Sequence, residues 1–183
     1  MPDWIHIFNL TLGILAVVLQ VISVAVLILL IFAPKENEVV LFIKKHFLFF
    51  GFLTSLFVVL LSLFYSEFLH YAPCFLCWLQ RIFMFPQVIL LGIAYFKDDR
   101  KIVIYSFPLL LIGFLIAAYH EYIYIFSEGA GPCDASGVSC VHRLVSEIGG
   151  YISIPMLSLT SFAALMAILL VGHYGGRSFR NSL

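Results

Sequence analysis

Residues 10 to 33 read LTLGILAVVLQVISVAVLILLIFA, a continuous apolar run in which Gln20 is the one amide and no residue is charged. A bilayer core about 30 Å thick is crossed by roughly 20 residues of helix, so this run is long enough to span it. Four further stretches of similar character follow, at about Phe47–Tyr65, Trp78–Phe96, Ile102–Tyr119 and Ile152–Val171. Unpaired amides are costly in lipid, so each stretch is expected to be a helix, and runs this continuous do not read as barrel strands. The third carries Gln80, Arg81 and Pro86, and its assignment leans on length and context. The remaining composition agrees: 63% of the 183 residues are hydrophobic and 11% are charged. These values lie outside the range of soluble globular chains. An all-α integral membrane protein with five spans is expected. The connections are short apart from the stretch 120–151, so no separate soluble domain is expected, and no internal repeat or phosphate-binding glycine loop is present.

Charge placement gives an orientation. Lys35, Lys44 and Lys45 follow the first segment, Lys97, Arg100 and Lys101 lie between the third and fourth, and Arg177 and Arg180 are in the tail. These fall on one side of the membrane, and only Arg81 and Arg143 fall on the other. Basic loops stay in the cytoplasm, so the N-terminus is expected outside and the C-terminus inside. A cleaved signal peptide is the rival reading of the first segment. MPDWIHIFN has no positive n-region, and cleavage would leave Lys44 and Lys45 external, so that reading is rejected.

With this orientation all four cysteines, Cys74, Cys77, Cys133 and Cys140, face the outer compartment. Disulfides persist on that side. The cysteines fall into a C-x-x-C pair and a C-x6-C pair, and either spacing can close a bridge within its loop. Cys77 sits where the third segment begins, so free backbone N–H groups and the helix dipole can stabilise its thiolate. It is the expected nucleophile of its pair. Pro73 favours an extended approach, which leaves Cys74 in the loop and exposed to a second thiol. Arg81 lies four residues beyond Cys77 on the same helical face and about 6 Å deeper. Its charge can favour the thiolate or an electron acceptor becoming negative; the alternative is a snorkelling anchor at the headgroups. Pro86 either kinks the helix and opens a groove or is tolerated without a role. Tyr71 and Trp78 read as interface-belt residues. A thiol pair beside an apolar groove with one cationic donor suits a lipid-soluble two-electron acceptor, for which a quinone is the natural candidate.

Around the second pair, SEGAGPCDASGV, up to about Val138, reads as a mobile loop. Val141, Leu144, Val145 and Ile148 then recur at helical spacing, with Ser139 as a candidate cap and Gly149-Gly150 as a stop. An amphipathic helix on the outer surface is expected, tethering Cys140 near the level of Cys74 and leaving Cys133 free to meet a partner. The alternative is a simple extension of the fifth segment. Two inert stabilising disulfides are a further reading of the cysteines. A tetrathiolate zinc site is disfavoured by the C-x6-C spacing, by the lack of a histidine motif and by the oxidising side, so no metal is expected.

PCFLCWLQRIFMFPQVILLGIAYFKDD, GPCDASGVSC and ISIPMLSLTSF together resemble the DsbB family of disulfide-bond formation proteins, particularly its BdbC branch. The resemblance covers about residues 45 to 172. It implies a four-helix redox bundle in residues 46–183, preceded in residues 1–45 by one additional N-terminal transmembrane helix and a cytoplasmic loop. That helix departs from the family pattern and moves the N-terminus outside. The implied activity is oxidation of a thioredoxin-like thiol oxidase of the DsbA or BdbD kind, with ubiquinone or menaquinone as acceptor, at the bacterial cytoplasmic membrane. By motif, Cys133 and Cys140 take electrons from the partner, with Cys133 forming the mixed disulfide. An interloop Cys74–Cys140 bond carries the exchange, and Cys77 delivers electrons to the quinone beside Arg81. Gln80 is a further candidate on the quinone side, as is His120 or Glu121 at the outer end of the fourth segment, although interface residues of that kind are more often merely solvated. Vitamin K epoxide reductase-type enzymes are an enzymatic alternative, but there the loop pair precedes the C-x-x-C and here it follows. A disulfide-stabilised scaffold is the non-enzymatic one.

Overall fold

A computed structural model describes residues 3–32, 38–126, 140 and 151–180. Five long helices account for most of these: α1 (Asp3–Phe32), α2 (Glu38–Leu63), α3 (Phe75–Lys97), α4 (Val103–Phe126) and α5 (Ile154–Arg180). A wide π-turn, Phe64–Phe68, extends α2, and a 3-10 turn, Arg100–Ile102, leads into α4. All five helices are long and apolar enough to cross a membrane. The spans thus agree with the expected ones in number and order. Helices α1 and α2 start several residues before their apolar runs and α5 continues past the end of its run, because helices continue through the polar interface, whereas α5 starts just inside its run.

The four helices α2 to α5 form a closed ring, with α2 against α3, α3 against α4, α4 against α5 and α5 back against α2. Helix α1 lies outside the ring, chiefly along α5. Each ring helix turns one stripe inward. On α3 the buried positions include Leu76, Gln80, Met84, Gln87, Leu91 and Ala94, at steps of three and four, with Gly92 beside them, while Ile82, Ile89 and Ile93 face outward. The core layer joins Phe47, Leu91, Leu110, Phe162, Leu165 and Leu169.

Lipid is as apolar as leucine, so burying side chains does not by itself hold these helices together; close packing does. Glycines permit it. A Cβ at Gly113 would stand 2.3 Å from the Phe162 ring, and one at Gly172 would stand 2.4 Å from the Phe47 ring. Pro86 and Pro108 lie inside α3 and α4 without ending either helix. The expected surface helix at 141–148 and Cys133 lie outside the described residues.

Candidate active site

At the outer end of the ring, α3 starts one turn earlier than its apolar run. Cys74 is its N-cap in extended geometry, and its sulfur accepts the Cys77 N–H at 3.4 Å. The two sulfurs lie 3.0 Å apart as free thiols, within hydrogen-bonding reach. Cys74 therefore takes the role at the helix start that the sequence assigned to Cys77. With the Cys77 thiol as the largest cause, the Cys74 thiol is brought down to about 4; burial opposes this, and His120 and the Cys77 N–H add to it.

The expectation of an exposed Cys74 does not hold, since it is 5% exposed. What covers it explains why. Cys140, 4% exposed, belongs to the same small cluster, with Leu76 and the flanking Leu79, Ile116 and Ile123. Cys74 is thus buried partly by Cys140 itself, a cysteine of the second pair. Cys140 is disulfide-bonded.

His120, on the last turns of α4, joins the two cysteine segments. Its Nε2 lies 3.0 Å from the Cys140 carbonyl oxygen and 3.9 Å from Cys74 Sγ, and its Nδ1 lies 3.1 Å from Gln80 Nε2. The pattern assigns the tautomer: the Gln80 amide donates to Nδ1, so Nε2 carries the proton and donates to the carbonyl. Solvated interface positions were the alternative for His120 and Glu121, yet His120 is 2% exposed and Glu121 is also buried. The Glu121 carboxylate accepts from Ser153 Oγ at 2.9 Å, and that oxygen caps α5 by accepting the Met156 N–H at 3.0 Å. The Cys74, Cys77 and His120 donor atoms lie within 4.8 Å of one another. As metal ligands they are poorly set, because His120 Nε2 offers a proton where a ligand offers a lone pair.

Arg81 reaches from α3 to Ser62 at the end of α2. Its Nε donates to Ser62 Oγ at 3.0 Å and its Nη2 to the Ser62 carbonyl at 2.9 Å. The guanidinium also sits 5.3 Å from the Trp78 ring centroid and 5.9 Å from that of Phe85. A cavity opens between α2, α3 and α5, and Cys74, Cys77, Gln80, Arg81, His120 and Cys140 all line it. Its remaining walls are largely apolar, with Val58, Leu61, Met84, Phe85, Ile154 and Leu157 among them. An apolar chamber with one fixed cation next to a thiol suits a lipid-soluble acceptor whose ring oxygens gain charge on reduction.

Three wall residues escaped the sequence reading. Ser62 anchors Arg81, Tyr65 lines the cavity from the π-turn, and Tyr71 lines it from the loop, its hydroxyl buried and without a hydrogen-bond partner among the described residues. Tyr71, read from the sequence as an interface residue, also lines the cavity, and burial raises its phenol pKa. A serine within an apolar helix was the one available sign of the first.

Fold and site define a multi-pass membrane protein with a reduced C-x-x-C pair at a helix start beside a second, disulfide-bonded cysteine. The family profile of disulfide bond formation protein DsbB matches residues 44–172. A probable disulfide formation protein C 2 of Bacillus anthracis is 36% identical over 129 residues, 70% of this chain and 91% of that protein. A prophage-derived disulfide bond formation protein B of Bacillus subtilis is 39% identical over 127 residues, 69% of this chain and 84% of its own length. A probable disulfide formation protein of Chlamydia muridarum is 39% identical over 130 residues, 70% of this chain and 93% of that one. No solved structure matches. The chain belongs to the DsbB family of disulfide-bond formation proteins, and its role lies in disulfide-bond formation.

Proposed function

We propose that the protein is a thiol oxidase of the bacterial cytoplasmic membrane that recharges an extracytoplasmic thioredoxin-fold oxidase and passes the electrons to a membrane quinone. In this reading residues 46–183 carry the chemistry, and residues 1–45 add one helix with its N-terminus outside. The observation that carries it is the meeting of Cys74, Cys77, Cys140, His120 and Arg81 around one apolar cavity.

A thiolate of the reduced partner attacks the loop disulfide at Cys133, and Cys140 leaves as a thiolate. Cys140 then attacks Cys74 of a closed Cys74–Cys77 bond, forming Cys74–Cys140 and releasing Cys77. The partner's second thiolate resolves its mixed disulfide and leaves oxidised, freeing Cys133. Cys133 next attacks Cys140, which restores the loop disulfide and releases Cys74. The pair is now a dithiol, the state observed for Cys74 and Cys77. As its disulfide closes again, two electrons and two protons pass to the acceptor. Each exchange is attack of a thiolate on a disulfide sulfur, so what the fold must supply is proximity.

The residues divide this work. His120 holds the Cys140 backbone next to Cys74 and, with the Cys77 thiol, favours charge on the Cys74 sulfur. That makes Cys74 a good leaving group when Cys133 takes Cys140 back. While Cys74 is bonded to Cys140, Cys77 is the one sulfur of its pair free to carry charge, four residues from Arg81. Gln80 fixes the His120 ring. A bound quinone would supply a two-electron, two-proton acceptor, and Arg81 would be the residue that donates to its ring oxygen.

Purified protein supplied with a reduced thioredoxin-fold dithiol and a ubiquinone or menaquinone analogue tests the reading through loss of quinone absorbance. Turnover that Cys77→Ser abolishes is expected. Oxidation of the partner without quinone consumption would overturn the acceptor assignment.

A further inference from the structure

Helix α1 lies outside the matched residues 44–172, yet it is not a loose addition. Ile5, Asn9, Leu12 and Ala16 form a buried stripe along it, while Ile7, Ile14, Leu15 and Val18 face outward. An asparagine within a membrane span is expensive, and packing alone would be served by leucine. Asn9 is 1% exposed, and its Oδ1 accepts the Tyr65 hydroxyl at 2.6 Å. Leu12 packs on the same tyrosine, and the Phe8 ring stands 6.2 Å from it. On its other side Tyr65 faces the Tyr71 ring at 5.9 Å and lines the cavity.

The register of α1 is pinned independently. Gln20 Nε2 donates to Thr160 Oγ1 at 2.7 Å, and the Tyr151 hydroxyl donates to Gln20 Oε1 at 3.0 Å. A Cβ at Gly13 would stand 3.1 Å from Ile152, so the helices touch closely there. Asn9 is therefore presented to Tyr65 from a helix fixed to α5. The π-turn that carries Tyr65 is an irregularity of the kind found at functional sites.

We propose that α1 is an outer wall of the redox site, and that Asn9 is a positioning residue. By holding the Tyr65 ring in the cavity lining, it sets how well the cavity receives the quinone head group. The proposal rests on the quinone reading above. No α1 residue needs to reach the quinone, because the effect passes through Tyr65.

The test is steady-state kinetics of the full chain carrying Asn9→Leu, Tyr65→Phe or both, with a short-chain quinone analogue and a reduced thioredoxin-fold dithiol varied in turn. Apparent KM for the quinone should rise about fivefold in each single variant, the size expected for one buried interhelical hydrogen bond. KM for the protein dithiol should stay unchanged. The double variant should match the singles, since both remove the same bond. If Asn9→Leu does not fold, Tyr65→Phe decides alone, because it keeps the ring and loses only the hydroxyl. An unchanged quinone KM, or an equal loss with both substrates, would overturn the proposal and leave the quinone reading standing. A wild-type protein that does not consume quinone would remove that reading and this proposal together.

Discussion

Arg81 grips Ser62 twice, with Nε on the hydroxyl at 3.0 Å and Nη2 on the carbonyl at 2.9 Å. A cation on α3 is thereby locked to the end of α2 with part of its guanidinium left for the cavity. Arginine carries five N–H donors in a rigid fork, so it can serve both.

Arg81→Ala should raise the apparent KM for quinone by about tenfold or more, with a smaller effect on the protein dithiol, as loss of a charge-assisted contact implies. Arg81→Lys should not restore it, because an ammonium cannot hold Ser62 and a ring oxygen in one plane. Ser62→Ala should give a milder rise, since the carbonyl contact remains. Initial rates over a quinone series check all three.

The Cys74 thiol, at about 4, is ionised throughout the neutral range. With the Cys74–Cys77 pair reduced and the Cys140 disulfide intact, thiolate absorbance should stay flat between about pH 6 and 8 and fall only toward pH 4, whereas an ordinary thiol near 8.5 would still be gaining charge there. Cys77→Ala removes the largest cause and should move the midpoint upward. His120→Ala should move it upward by less. A midpoint that stays near 4 in Cys77→Ala would show that the Cys77 thiol is not what holds the charge on Cys74.

In the proposed order of exchange, Cys140→Ala should accumulate a covalent complex with the partner through Cys133, because the thiolate that would carry the exchange onward to Cys74 is gone. Non-reducing electrophoresis and peptide mapping read it. Trapping through Cys74 would reverse the order of exchange.

Gly113→Ala should destabilise the ring by about 1–3 kcal/mol, the usual cost of overpacking, since its Cβ would meet the Phe162 ring at 2.3 Å. Gly51→Ala, whose Cβ would meet the flexible end of Leu91 at 3.3 Å, should cost less. Thermal unfolding in detergent compares them.

Much was legible in the residues because the bilayer imposes a strict length and polarity code. Five apolar runs of about one bilayer each specify five helices, and C-x-x-C followed by arginine at i+4 of the second cysteine specifies a thiol pair and a cation on one helical face. Neither needs knowledge of what lies alongside. The tertiary structure decided which sulfur caps α3, that His120 bridges Cys74 and Cys140, that Ser62 restrains Arg81, and that Asn9 reaches Tyr65. Apart from the cap, these are contacts between residues 19 to 56 positions apart. Helical periodicity says which face a side chain occupies on its own helix. Only the packing of one helix on another says what that face meets.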